Sequence, residues 1–127
     1  MARTGFLFAA LCLSACASHQ RANVAARAQT EMIGMSKKDL YQCAGVPVRQ
    51  EQVDDLEFLT YAGGGDSTTA AIATSRRTAV SKTAHRYCEA TFVLKDVVVQ
   101  KVSYQGRTGG LLSKGEQCAF IVENCIQ

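Results

Sequence analysis

The chain has 127 residues, of which 47% are hydrophobic and 20% charged, with 14 Lys+Arg against 11 Asp+Glu, a net charge of +3 and no Trp. That is enough for one small domain. The near balance of charge, without a basic stripe interleaved with aromatics, argues against nucleic-acid binding.

At the start, Arg3 precedes an uninterrupted small and apolar run, Gly5 to Leu13 (GFLFAALCL), and then the small residues Ser14 and Ala15. This is the three-part layout of a secretory signal peptide. The run is about nine residues, whereas a membrane-spanning helix needs roughly 20. Leu13-Ser14-Ala15-Cys16 resembles the bacterial lipobox, in which the cysteine is lipidated and becomes the new N-terminus. The chemistry needs a thiol for the lipid and small residues before it for the peptidase. The expected organisation is therefore a leader over 1–15, a lipidated flexible tether over 16–30 and a single domain over 31–127. Several acyl chains hold a protein on a membrane stably where one does not. Ala17, rather than Asp, follows Cys16 and resembles the outer-membrane sorting signal of enteric-type bacteria. The expected location is the periplasmic side of the outer membrane. Cys12 leaves with the leader, and so does Arg3, which brings the mature chain near +2.

Residues 17–30 (ASHQRANVAARAQT) are polar and Ala-rich. With few large apolar groups they read as a tether, or alternatively as a frayed helix. The first firm element is a helix over about Lys37 to Ala44. Ser36 and Asp39 have capping-box spacing, and Met35 and Leu40 can form a hydrophobic staple. Gly45 suits the helix end and Pro47 forbids continuation. Leu40, Cys43 and Ala44 fall on one face.

Strands follow over Val48–Val53 and Glu57–Ala62, with Asp54-Asp55 as the turn. Tyr87–Leu94 alternates, with Cys88, Ala90, Phe92 and Leu94 on one side and Tyr87, Glu89, Thr91 and Val93 on the other. Lys95-Asp96 can turn the chain into a β-branched strand over Val97–Tyr104. Between the second and third strands, Gly63 to Thr83 is long, small and polar. It reads as a mobile surface hairpin or loop, or as a partner-contact loop carrying Arg76, Arg77 and Lys82. Near the C-terminus, Ser113 and Glu116 repeat the capping-box spacing, and Cys118, Ile121, Val122 and Cys125 line one helical face.

Cys43, Cys88, Cys118 and Cys125 form an even set, which in a small exported domain argues for disulfides. No Cys-x-x-Cys pair exists and His19 and His85 are far from ligand spacing, so no metal is expected. In a continuous helix Cys118 and Cys125 sit about 10.5 Å apart along the axis, beyond the roughly 7 Å between Cα atoms that a disulfide allows. That leaves Cys43–Cys118 with Cys88–Cys125, or Cys43–Cys125 with Cys88–Cys118, the second preferred. An irregular C-terminal segment would readmit Cys118–Cys125. The fold class is thus α+β: a short helix, a four-stranded antiparallel meander and a C-terminal helix packed on one sheet face, stapled by disulfides.

Met35-Ser36-Lys37-Lys38-Asp39-Leu40 followed by Gly45-Val46-Pro47, after Ile33-Gly34, resembles the opening motif of the SmpA/OmlA (BamE-like) lipoproteins. Phe92 to Val99 (FVLKDVVV) resembles that family's final hairpin, and the likeness covers roughly 33–105. The chain departs from it in its cysteines, its Gly-rich loop and the helix after Gly110. The resemblance implies a BamE/β-lactamase-inhibitor-like fold that acts by binding. The expected partners are the membrane, through the lipid at Cys16, and envelope proteins of outer-membrane protein assembly. The alternatives are an accessory of a pilus or secretion apparatus and an inhibitor-type binder of a periplasmic protein.

Catalysis needs a nucleophile, a base and a stabiliser within reach. His85 stands at a loop border, no Gly-x-Ser-x-Gly surrounds a serine, and Gly63-Gly64-Gly65-Asp66-Ser67-Thr68 lacks the Gly-Lys-[Ser/Thr] of a phosphate loop. The chain is not expected to be an enzyme, to carry a cofactor or to take a small-molecule substrate.

Overall fold

The fold is given by a computed structural model. It describes residues 5–75, 78–109 and 114–126, with side chains over 16–63, 86–109 and 114–126. The elements in chain order are α1 (Gly5–Glu31), α2 (Lys37–Ala44), β1 (Arg49–Val53), β2 (Leu56–Ser75), β3 (Thr78–Lys95) and β4 (Val98–Gln105), then a 3-10 turn (Glu116–Cys118) running into α3 (Ala119–Val122). The class is α+β, and the four strands form one antiparallel meander in the order β1-β2-β3-β4.

The alternation read in β3 decides which sheet face is buried. Cys88, Ala90, Phe92 and Leu94 are fully buried, as are Leu59 from β2 and Val99 from β4, with Tyr61 nearly so. These side chains form one cluster with Leu40 of α2, with Cys118, Ile121 and Val122 of the C-terminal segment, and with Ala25, Ala28 and Met32. Phe92 and Tyr61 meet edge to face, their centroids 5.4 Å apart. On the opposite face Thr91 and Val93 are half-buried and Tyr87 is exposed, as suits a sheet solvated on one side.

Helix α2 ends where its caps say. Ser36 Oγ accepts from the Asp39 amide at 3.1 Å and donates to Asp39 Oδ2 at 2.7 Å. Gly45, at φ +83°, returns its N–H to the Tyr41 carbonyl.

Three expectations need correction. The tether expected over 16–30 is helical, and Ala25, Ala28 and Met32 beside it are 1%, 0% and 0% exposed. The small side chains of Ala25 and Ala28 let α1 lie directly against β4 and the C-terminal segment. Tyr104 donates its hydroxyl to the Ala25 carbonyl at 2.8 Å, and a Cβ on Gly115 would stand 3.5 Å from that of Ala25. Second, the C-terminal helix is shorter than expected. Ser113 lies outside the described residues, Gly115 at φ +87° opens the 3-10 turn without a side-chain cap, and α3 stops at Val122. Third, the turn expected at Lys95-Asp96 is one residue later. Lys95 pairs with Val98, so Asp96 and Val97 are the central residues, both in the left-handed region at φ +50° and +61°. A β-branched residue there is unfavourable, and Lys37 helps hold it by donating its amide to the Val97 carbonyl at 2.8 Å.

The disulfides are Cys43–Cys125 and Cys88–Cys118, each with Cα atoms 5.0 Å apart. The first joins α2 to the chain end. The second fixes the 3-10 turn to the middle of the sheet. Cross-links of this kind restrict the unfolded chain, by about 3.7 kcal/mol for a 30-residue loop and about 4.5 for one of 82.

Candidate functional site

Strand direction determines where the functional candidates lie. Gln29 donates its side-chain amide to the Val102 carbonyl, Tyr104 reaches Ala25, and the Gly34 amide donates to the Val99 carbonyl. Helix α1 therefore runs antiparallel to β4. In an antiparallel meander β2 runs the same way as β4. So the N-terminal half of α1, which carries Cys16, and the far part of β2 leave the core at the same end.

At that end Cys16 is exposed, and among the residues whose side chains are described it is the cysteine outside a disulfide. Six residues on, Ala22 begins the buried stripe. At about 1.5 Å per residue that is roughly 9 Å of helix. Between them Arg21 stands 3.7 Å from the buried carboxylate of Glu116 and 5.1 Å from the Phe120 ring centroid. Helix α1 is thus clamped to the C-terminal segment almost up to the candidate anchor.

The region expected as a surface hairpin or loop over 63–83 is a long antiparallel β-ribbon. Its pairing continues from Gly63 opposite Cys88 to Ser75 opposite Thr78, with register shifts between Gly64 and Asp66 and between Ala73 and Ser75. Gly63 marks the exit from the core, because a Cβ there would come within 2.7 Å of Ile121 Cγ1. Such close approach is a use of glycine inside a strand. Of the contact candidates, Arg76 and Arg77 lie outside the described residues. Lys82 pairs with Ala70 and His85 with Ser67 in the ladder, while their side chains lie outside the description.

A shallow groove of about 630 Å³ is lined by Ser36, Lys37, Lys38, Tyr41, Gln42 and Val97. Its ionic contact faces β2: Lys37 Nζ binds Glu57 Oε1 at 2.6 Å and lies 5.5 Å from the Tyr41 ring centroid. The hydrogen bond to Glu57 raises the Lys37 pKa above its ordinary value, so this ammonium stays charged. Glu57 also accepts from the Gln50 side chain. Burial likewise raises the Tyr61 and Tyr104 hydroxyls. Both are engaged with backbone, Tyr61 donating to the Gly45 carbonyl at 3.2 Å and Tyr104 to Ala25. Among the described residues no three of His, Cys, Asp and Glu are gathered as metal ligands, and no helix is long and apolar enough to cross a membrane.

Sequence reasoning named Cys16 and the four bridged cysteines but missed Arg21, Glu116 and Phe120. A signal for the first contact was present, since Ala22, Ala25, Ala28 and Met32 recur at helical spacing. Searches against family models, curated proteins and solved structures find no match for the chain.

Proposed function

We propose that this protein is a lipoprotein, anchored through Cys16 on the periplasmic side of the outer membrane, that serves envelope assembly by binding other proteins rather than by catalysis. The observation that carries the reading is Cys16 itself. It follows a short apolar run and two small residues, and it is exposed and unbridged while Cys43, Cys88, Cys118 and Cys125 are paired. Disulfides suit an exported domain, because thiols are kept reduced in the cytoplasm. The link to outer-membrane protein assembly rests on the motifs within 33–105, of which the capped helix α2 and the final β3–β4 hairpin are the structural counterparts.

Replacing Cys16 by Ser is expected to move the protein from the membrane to the soluble fraction without lowering its Tm. A Cys16→Ser variant that partitions fully with membranes would overturn the anchor. The second reading, an accessory of a pilus or secretion apparatus or an inhibitor-type binder, is favoured by the ribbon beyond Gly63, a projecting element suited to capture. Crosslinking in native membranes separates the two. Outer-membrane assembly proteins among the products support the first, and pilus, secretion or periplasmic enzyme components the second.

A further inference from the structure

We infer that the end of the domain formed by Arg21, Phe120 and the neighbouring basic residues rests directly on the bilayer surface. The inference builds on lipidation of Cys16 and adds an orientation and a contact that lipidation alone does not require. A flexible tether of a dozen residues would let the domain tumble above the membrane. Here the interval from Cys16 to buried Ala22 is helical and spans about 9 Å. Arg21 within it is already tied to Glu116 and lies over Phe120. Whatever holds Cys16 at the headgroups also brings Phe120 to within a helical turn or two of them.

The chemistry of this end suits that neighbour. Phe120 is 43% exposed, an aromatic left uncovered beside a guanidinium. Rings at the headgroup level bury their apolar body there, while arginines reach the phosphates. Tyr87, also exposed, sits where β3 enters the core, opposite Gly64. Arg86 is next to it, and the Tyr87 amide donates to the Arg107 carbonyl. Arg86, Arg107 and Lys114 are all exposed. The opposite end is more acidic: its turns carry Asp54, Asp55 and Asp96, all exposed, while of the lysines there Lys95 is paired with Asp55, Lys37 with Glu57, and Lys38 is exposed. An anionic surface would attract the first end and repel the second within a Debye length of about 8–10 Å. The ribbon beyond Gly63 leaves from this same end, so contact with a bilayer here requires it to turn aside. The register shift at Gly64/Asp66 is a place where such a ribbon can bend.

The absence of Trp from the sequence makes a single-tryptophan test possible. Full-length protein carrying Phe120→Trp, matured in cells and reconstituted in vesicles of phosphatidylethanolamine and phosphatidylglycerol, is expected to lose most of its iodide quenching and shift its emission to the blue. A Val53→Trp partner variant, at the far end of the sheet, is expected to stay fully quenchable. Inserting twelve Gly/Ser residues between Ala17 and Ser18 should restore quenching at Phe120→Trp, because the short rigid link is then gone. The mass of the N-terminal peptide is measured on the same samples. A lipidated Phe120→Trp protein as quenchable as Val53→Trp overturns the inference and leaves the anchor standing. An unlipidated N-terminus overturns the anchor, and the inference with it. If the Phe120→Trp variant fails to fold, Tyr87→Trp is the second probe, read by the same criteria.

Discussion

Residues 16–30 and 63–83 look alike in the sequence and behave oppositely in the fold. Both are rich in Ala and polar residues, both lack a run of large apolar groups, and both are expected to lie outside the core. The first becomes the C-terminal half of α1 and buries Ala25 and Ala28 completely or nearly so. The second becomes a two-stranded ribbon that leaves the core at Gly63. The lesson concerns what small residues do. In a helix, methyl groups at every third or fourth position give a smooth stripe that lets the backbone approach a sheet. In strands successive residues alternate between the two faces, so the same composition gives no continuous stripe.

That contrast can be broken at three points, in decreasing size of effect. Ala28→Arg places a charge where the side chain is fully covered. It is expected to cost about 3–5 kcal/mol, read as a lowered denaturation midpoint. A loss below about 0.5 kcal/mol would mean that α1 does not pack as described. Tyr104→Phe keeps the ring and removes the hydroxyl that reaches the Ala25 carbonyl, with an expected cost of about 1 kcal/mol. It also has a pH signature. Burial raises the folded-state pKa of Tyr104 above its ordinary 10.0. Its contribution is therefore complete below pH 10 and is lost as pH rises from there toward the folded value. In Tyr104→Phe this part of the alkaline loss disappears, which a melting series from pH 8 to 11 would detect. Excising residues 66–85, from the distal ribbon, is expected to change stability least, by less than about 0.5 kcal/mol, while abolishing capture of any partner that the ribbon binds. A collapse of folding after excision would make the ribbon part of the core and erase the contrast.

The elements whose signals are local were legible in order. Ser36, Asp39 and Gly45 delimit α2 by hydrogen bonds within a few residues. The alternation of Cys88, Ala90, Phe92 and Leu94 identifies the buried face of β3 without knowledge of what covers it. The turn at Asp96-Val97 was displaced by one residue because nothing in a valine announces a left-handed backbone, which pairing and the contact from Lys37 impose. The C-terminal helix was overextended because Gly115 adopts a positive φ and opens a 3-10 turn instead.

The sequence by itself determined the short leader-like run before Cys16, the even set of four remaining cysteines, and an α+β order of helix, meander and C-terminal helical segment. Each of these depends on residue type and spacing along one short segment. Only the tertiary structure decided between the two disulfide pairings, because that choice depends on which cysteines stand 5.0 Å apart across elements. It alone converted the Ala-rich stretch from tether to core helix, since burial of a methyl group depends on the surface facing it. It alone brought Arg21, Glu116 and Phe120 together, nearly a hundred residues apart in the chain, at the end of the domain nearest the candidate anchor.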